Sequence, residues 1–413
     1  MRQLQLAKIR QRFDRTRLAD PIAVLREELS RLDDQIRPDS RIAIAAGSRG
    51  IGNLAAVVGE LCAYVRARGA HPFVVPAMGS HGGATAEGQA EVLRQYGIDE
   101  AGIGAPVRSS MEVVELPQGG MPMRIFMDRR AFESDGVILV NRIKPHTDFH
   151  GQYESGLMKM ALIGLGKLEG ARAVHDYGLY GLRELIAPGA GRVLASGKIL
   201  AGVALVENAY HETRIVRVLP VDEIAAEEPL LLDAARQSMP RLPMDSVDLL
   251  IVDRMGKDIS GVGIDPNITG RIGVDGMHDA GGVHVTAMVV CDLTEASHGN
   301  AIGVGLADVI TRRLYEKIDW NATYANVVTS SFLERGKLPI VAASALEAAG
   351  TALRSCGRLP ERGARILRIR DTLRLEDVYA SPAVVEDLAG GERLELVAPP
   401  AGMFDDRGEL TAF

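Results

Sequence analysis

The residues of this sequence that are best suited to covalent chemistry lie in one glycine-punctuated stretch of its first half. Lys159 follows Ser155 and Gly156 and precedes an apolar run that ends at Gly166. Apolar surroundings desolvate a lysine, which lowers its pKa and leaves a neutral, nucleophilic amine. The alternative is a structural lysine whose stem lies along the apolar surface while its ammonium reaches water.

Two histidines on either side of Lys159 are candidates for proton transfer or metal binding near neutral pH. His81 is flanked by glycine and serine, so a ligand can approach it closely, although a histidine there can equally cap the following helix. His175 comes sixteen positions after Lys159, near the end of a predicted helix over 168–176. Taken alone, His175 is more typical of a helix terminus than of a ligand.

A loop before Lys159 carries two further histidines. His146 and His150 stand in it beside Lys144 and Pro145. Two imidazoles beside a cation are less typical of an inert surface turn than one imidazole is. Both are therefore candidate functional residues.

An earlier loop begins with Gly47 and Ser48 and contains Arg49. Backbone N–H groups in such a loop favour anions, but the sequence has neither the GxGxxG pattern nor the ending of a P-loop. The guanidinium of Arg49 forms a fork that matches a carboxylate or a phosphate. Arg49 is a candidate for binding an anionic substrate, and a solvated loop arginine is the alternative.

These loops follow short apolar runs that are typical of buried parallel strands. The predicted elements of this region are strands over 41–45, 71–76 and 136–140 and helices over 20–32, 54–68 and 85–96. Asp20 is the predicted N-cap of the first helix, with Pro21 at its first position. Ligand-binding groups in open α/β sheets gather beyond the carboxyl ends of the strands, so we expect the three polar loops to meet at one site.

A chain of 413 residues exceeds one ordinary core, so we predict an α/β fold of two α/β domains with a cleft between them. The proline-punctuated stretch 239–243 is typical of a linker. The predicted parts are a catalytic, cofactor-anchoring domain over 1–241, a second α/β domain over 246–393, and a tail over 394–413 that returns to either domain. The further predicted elements are strands over 247–253, 283–293 and 394–397 and a helix over 300–318.

Composition and charge narrow the classes of function. A hydrophobic fraction of 46% and a charged fraction of 24% are typical of a soluble globular protein. The net charge of −7, without a basic run interleaved with aromatic residues, argues against a nucleic-acid partner. Three dispersed cysteines argue against a disulfide framework and a thiolate metal site. With no apolar signal segment or membrane span in the sequence, we expect a cytoplasmic protein that acts on a small molecule and has no membrane partner.

Taken in order, the candidate residues resemble the motifs of the nickel-pincer lactate racemase family. The matching positions are Gly47, Ser48 and Arg49, then His81, then Pro145 and His146, then Ser155, Gly156 and Lys159, and last His175. They follow the family's order and mostly its spacing, and the separation of Lys159 and His175 is the same as in the family. The resemblance covers the first predicted domain by motifs and the rest by architecture.

The resemblance implies an isomerase that racemises or epimerises a small α-hydroxy acid. In this family a lysine anchors, through a thioamide, the nickel-pincer nucleotide, a pyridinium-3-thioamide-5-thiocarboxylic acid mononucleotide that carries nickel. Two sulfurs and a carbon of the nucleotide bind the nickel together with one histidine. The α-hydrogen moves as hydride to and from this cofactor, which avoids a carbanion beside a carboxylate.

Carried over to this sequence, the resemblance makes Lys159 the covalent anchor and His175 the nickel ligand. It makes His81 and His146 the two acid–base residues and Arg49 the residue that binds the substrate carboxylate. It also places three residues against the cofactor, namely Gly47, Ser48 and Ser155. The implied partners are the enzymes that assemble the cofactor.

The sequence also departs from the family. His150 rivals His146, because the segment between Pro145 and the lysine is longer here. Ala46 stands where the family has an aspartate near the cofactor. The Tyr-Gln pair and the lysine that the family's second domain contributes do not appear after the strand over 247–253, and Lys257 or Asn267 would have to replace them. These departures leave the identity of the α-hydroxy acid open.

Two other classes of function fit the same residues. Lys159 is also suited to a Schiff base with a sugar acid or keto acid, as in a metal-free lyase or epimerase. The glycine loops are also suited to a non-catalytic clamp that binds an anion or a nucleotide. Nickel analysis, borohydride trapping, and ligand binding without turnover separate the three.

Overall fold

The computed structural model describes residues 4–47, 50–274, 282–357, 363–389 and 394–413. The chain forms two compact units. One is Asp14–Met239, and the other combines the described residues of 1–13 and 240–413. Each unit contains a mixed sheet with helices, so the α/β class predicted from the sequence is confirmed.

The strands are numbered in chain order. The described strands are β1 (Gln5–Gln11), β2 (Arg41–Ala46), β3 (His71–Pro76), β4 (Val113–Leu116), β5 (Ile125–Asp128), β6 (Gly136–Arg142), β7 (Ile199–Glu207), β8 (Thr213–Pro220), β9 (Ser246–Val252), β10 (His284–Val290), β11 (Val309–Thr311), β12 (Ile340–Ala342), β13 (Ile366–Ile369), β14 (Asp377–Ala380) and β15 (Leu394–Gly402).

The α-helices are numbered in the same way. The described helices are α1 (Pro21–Leu29), α2 (Leu54–Ala67), α3 (Ala86–Gln95), α4 (Glu100–Ile103), α5 (Arg129–Phe132), α6 (Leu157–Lys159), α7 (Lys167–His175), α8 (Gly178–Tyr180), α9 (Ile186–Leu194), α10 (Ile224–Ser238), α11 (Pro266–Thr269), α12 (Arg312–Glu316), α13 (Trp320–Ser330), α14 (Ala345–Ser355) and α15 (Pro382–Asp387). None of the helices in the described ranges is long and apolar enough to cross a membrane.

The sheet of the unit Asp14–Met239 has the strand order β3-β2-β6-β7-β8. Neighbouring strands from β3 to β7 run parallel, and β8 is antiparallel to β7. The central strands are almost entirely apolar and buried, as expected for a parallel sheet that helices cover. The carboxyl ends of β3, β2 and β6 therefore lie side by side at one edge of the sheet.

The helix that precedes this sheet begins as the sequence predicts. The Asp20 side chain accepts hydrogen bonds from the amides of Ile22 and Ala23, both at 3.0 Å, and Pro21 occupies the first helical position. This cap satisfies two of the amides that a helix N-terminus leaves without intrahelical partners. α1 and α2 then pack their buried residues, including Leu25, Leu29 and Leu61, into the core on one face of the sheet.

The sheet of the other unit has the strand order β12-β11-β10-β9-β13-β14-β1-β15. β1 is antiparallel to both β14 and β15. Residues 4–13 thus belong with the C-terminal strands, which differs from the predicted domain over 1–241. The tail over 394–413 begins with β15 and lies in this same unit. The other change of unit falls between Met239 and Pro240, within the stretch taken as the linker.

The helix predicted over 300–318 is wrong. Val304–Leu306 forms a 3-10 turn, and β11 and the short α12 follow it. Gly303 has a φ of 94° in the left-handed region, which ends any helix there. The β-branched run of β11 pairs in parallel with β10, with Val309 beside Val289, so tertiary pairing decides the conformation.

Candidate active site

The three polar loops meet around a short helical segment that contains Lys159. We call α6 together with the π-helical turn Met160–Gly164 the anchor segment. The amide of Gly79, after β3, donates to the carbonyl of Gly164 at 3.1 Å. A Cβ on Gly47, after β2, would lie 3.0 Å from Oδ1 of Asn141 at the end of β6 and 3.1 Å from Cε of Met160. The loops after β2, β3 and β6 therefore converge, as the sequence predicted.

The start of the anchor segment is fixed by a buried carboxyl group from α10. Oε2 of Glu228 accepts a hydrogen bond from the amide of Met158 at 2.9 Å. A Cβ on Gly156 would lie 2.2 Å from Oε1 of Glu228, so any larger residue before α6 would displace this buried carboxyl group. The carbonyl of Gly156 accepts from Nδ2 of Asn141 at 2.9 Å. Glu228 and Asn141 thus hold the turn that presents Lys159, and neither was identified from the sequence.

The amine of Lys159 contacts Nε2 of His146. Nδ1 of His146 accepts a hydrogen bond from the amide of Asp148 at 3.0 Å. Since Nδ1 is an acceptor, the neutral imidazole carries its proton on Nε2, where it faces Nζ. The contact is then satisfied when Nζ is a neutral amine that accepts this proton. Such an amine is the nucleophilic form of lysine.

His175 ends α7 and lies within electrostatic range of Lys159. Burial lowers the pKa of His175, and a protonated Lys159 would lower it further, while the carboxylates of Asp148 and Asp176 oppose this effect. The imidazole is therefore held in its neutral form, which is the form that binds a metal. The geometry brings Lys159, His146 and His175 into one neighbourhood.

His81 lies in the loop after β3, with its side chain exposed. Nε2 of Gln89, on α3, donates to the carbonyls of Gly79 at 2.8 Å and His81 at 3.3 Å. Oε1 of Gln89 accepts from the fully buried Lys167 at 3.1 Å. Gln89 therefore links the backbone of His81 to Lys167, the first residue of α7. The sequence did not identify Gln89 or Lys167 as supports of this loop.

Of the remaining predicted cofactor and substrate residues, Ser155 lies in the loop that leads to the anchor segment. Ser155 forms an antiparallel bridge with Lys144, with N···O distances of 2.9 and 3.2 Å. Ser48 and Arg49 lie outside the described residues. The far side of their loop is held by Glu207, whose Oε1 accepts from the amide of Gly52 at 2.6 Å.

Lys257 and Asn267 make local contacts in the other unit. Nζ of Lys257 donates to the carbonyl of Gly261 at 2.9 Å and to Oδ1 of Asn326 at 2.7 Å. Nδ2 of Asn267 donates to Oδ1 of Asp265 at 2.9 Å. Asn267 thus helps to hold its own loop together, and Lys257 links its loop to α13.

Comparison with known proteins identifies a solved structure with a similar fold. No protein-family model matches the chain, and no curated protein matches it. Its structure is similar to that of the lactate racemase apoprotein from Thermoanaerobacterium thermosaccharolyticum, with a TM-score of 0.50 and 12% sequence identity. The match covers 89% of this chain and 99% of that one. At this identity the likeness concerns the fold alone, so this chain has a lactate racemase-like α/β fold.

Proposed function

We propose that this protein is a racemase or epimerase of a small α-hydroxy acid that uses a nickel-pincer nucleotide tethered to Lys159. The observation that carries the proposal is the contact of Lys159 with His146 on the anchor segment, within electrostatic range of His175. The lactate racemase-like fold supports it, because the solved apoprotein belongs to an enzyme of that reaction type.

The side chains of the site fit such a cofactor. Within the described ranges, no group of three or more His, Cys, Asp or Glu side chains is placed to hold a metal by itself. A nickel ion would therefore take most of its ligands from the nucleotide and one from the neutral imidazole of His175. Lys159 would provide the covalent link, with Gly47, Ser48 and Ser155 against the nucleotide. When bound, such a cofactor would supply an acceptor and donor for the α-hydrogen of the substrate together with its electron pair.

The protein's own groups bind the substrate and move its hydroxyl proton. Arg49 would hold the carboxylate through a two-pronged hydrogen bond while the planar keto acid changes the face it presents. His81 and His146 are the acid–base residues that the sequence motifs suggest, one for each face. A reaction that inverts a carbon centre through a planar state requires a proton donor and acceptor on both sides.

A metal-free Schiff-base lyase or epimerase is the second candidate, and the contact of the Lys159 amine with Nε2 of His146 favours it equally. In that reaction the amine would attack the carbonyl of a sugar acid or keto acid and release water. Borohydride would then fix the substrate to Lys159. The two candidates thus place different groups on the same nitrogen.

The test is the intact mass and nickel content of the protein produced together with cofactor-assembly enzymes. We expect one nucleotide adduct and one nickel per chain. Lys159→Ala should lose both, whereas Lys198→Ala, outside the site, should retain both. His175→Ala should keep the organic adduct and lose the nickel. An adduct that persists in Lys159→Ala, or nickel unchanged in His175→Ala, would contradict the assignment, and borohydride trapping of substrate would favour the imine.

A further inference from the structure

The carboxylate of Glu154 is completely buried behind the loop that carries His146 and His150. It accepts hydrogen bonds from the amides of His146 at 2.6 Å and Gly151 at 3.1 Å, and from Nη2 of Arg236 at 2.6 Å. Burial alone would raise the pKa of Glu154, but its hydrogen bonds with His150, His146 and Arg236 outweigh burial and lower it. The group is therefore an ionised acceptor inside the fold.

His150 is oriented by this carboxylate. Its Nδ1 lies 3.2 and 3.3 Å from the two carboxylate oxygens of Glu154. An ionised carboxylate only accepts, so Nδ1 carries the proton and Nε2 of the neutral ring keeps its lone pair. Nε2 meets no hydrogen-bond partner within the described part of the chain. The side chain is 27% exposed, so a small ligand can reach it.

His146 has the opposite arrangement. Its Nδ1 accepts from the amide of Asp148, so the proton of the neutral ring is on Nε2, towards Lys159. In this arrangement neither nitrogen offers a lone pair to a substrate hydroxyl group. Before a cofactor is attached, His146 is thus arranged to hold the amine of Lys159, whereas His150 is arranged to accept a proton.

We propose that His150, oriented by Glu154, is the acid–base residue that this loop contributes, and that His146 instead serves the amine of Lys159 before the cofactor is attached to it. This inference rests on the proposed function and changes the assignment of one residue within it. Nε2 of His150 takes the hydroxyl proton of the substrate, so that an O–H bond breaks and an N–H bond forms, and returns it in the reverse direction. Glu154 is a positioning residue that also stabilises the imidazolium formed meanwhile.

The tautomers can be tested without cofactor or substrate. In protein labelled with ¹⁵N-histidine, long-range ¹H–¹⁵N spectra at a pH where both rings are neutral should show His150 protonated on Nδ1 and His146 on Nε2. His150→Gln and His146→Gln assign the signals. In Glu154→Gln the His150 signals should shift towards a mixture of tautomers. His150 protonated on Nε2 in the wild-type protein would overturn the proposal, whatever reaction the protein catalyses.

Activity of the loaded protein supplies the second test. His150→Gln should reduce kcat by about 10²-fold or more while keeping the covalent adduct, as expected for loss of a general acid–base group. Glu154→Gln should reduce kcat more than it changes KM and should move the acid limb of the pH profile. His146→Gln should mainly reduce the yield of adduct. Full kcat in His150→Gln would overturn the inference but leave the proposed function intact, whereas wild-type protein that is loaded but inactive would contradict the proposed function.

Discussion

The contact between Nζ of Lys159 and Nε2 of His146 bears on the reactivity of the lysine. A contact in which Nε2 of His146 donates leaves the lone pair of the amine engaged but not protonated. When the imidazole moves aside, that lone pair becomes available to an electrophile. This arrangement favours the neutral, nucleophilic form of Lys159.

Competitive acetylation with trace anhydride at neutral pH measures this state. We expect Lys159 to be modified to a larger fraction than Lys198, whose ammonium donates to the carbonyl of Ser134 at 3.0 Å. In His146→Leu the preference for Lys159 should shrink, because the donor that favours the neutral amine is gone. Peptide mass spectrometry gives both fractions from one sample. Equal labelling of the two lysines in the wild-type protein would mean that Lys159 is an ordinary ammonium.

The two lysines at the ends of the π-helical region have different roles. Lys167 is fully buried, and its Nζ lies 3.1 Å from Oδ2 of the equally buried Asp128. Burial lowers the pKa of Lys167, while the charge of Asp128 opposes this effect. Lys167 therefore stabilises the element that leads to His175, whereas Lys159 is only partly buried.

Removing one partner of a buried ion pair leaves the other charge uncompensated. Lys167→Met should therefore lower the free energy of unfolding by about 3 to 5 kcal/mol. Lys159→Met is the matched control and should change it by about 1 kcal/mol or less, because Lys159 is only partly buried and the replacement keeps an apolar stem of similar length. Denaturant titrations of the two variants provide the comparison. Similar losses in both would contradict this division of roles.

The titration of Glu228, which holds the start of the anchor segment, makes the stability of the fold depend on pH. Burial raises its pKa to about 7 from an ordinary value of 4.5, although the amides of Met158 and Leu157 act in the opposite direction. The folded chain thus holds this proton more tightly than the unfolded chain. The resulting stabilisation is complete below about pH 4.5 and is lost as the pH rises through 7.

Glu228→Gln removes this titration while keeping an acceptor for the two amides. Relative to the wild type, the variant should gain on the order of 3 kcal/mol in unfolding free energy between pH 4.5 and 7. Glu227→Gln, one residue away on the same helix, should follow the wild-type profile. A difference between Glu228→Gln and wild type that stays constant with pH would show that Glu228 does not titrate in this range.

Local sequence patterns were sufficient to predict the strands that carry the loops of the site and the helix that precedes them. β2, β3 and β6 are short apolar runs before glycine or polar residues, and the Asp20 cap of α1 is a signal within three residues. The support of the anchor segment is different, because Glu228 lies 70 positions from Met158. Such long-range contacts leave no periodic trace in the sequence. The helix predicted over 300–318 failed for the same reason, since the pairing of β11 with β10 decides it.

The two ends of the chain are joined in one sheet of the molecule. β1 lies between β14 and β15, so residues 4–13 complete a unit whose other described residues begin after Met239. From the sequence alone, an N-terminal strand is most simply assigned to the domain that follows it in the chain, as in the predicted domain over 1–241. Only the register of Ala7 with Ala380 and of Leu6 with Ala401 reveals its partners.

Deletion of residues 1–13 should therefore affect the distant C-terminal strands. Without β1, both β14 and β15 lose a hydrogen-bonded neighbour, and deuterium uptake in these strands should rise strongly. Uptake in β2, β3 and β6 should change little, because these strands pair within the other unit. Hydrogen exchange followed by peptide mass spectrometry resolves the two sets. Increased uptake confined to β2, β3 and β6 would contradict the assignment of β1.

The measurement that bears most directly on the proposed function is inversion of a single-enantiomer α-hydroxy acid in D₂O by protein loaded with the nickel-pincer nucleotide. Hydride transfer keeps the α-hydrogen out of exchange with solvent, whereas a carbanion or imine route exposes it to deuterium. We predict that the opposite configuration appears with its α-¹H retained, and only when Lys159 carries the cofactor. Inversion with deuterium at the α-carbon, or inversion by chain without the cofactor, would contradict the account.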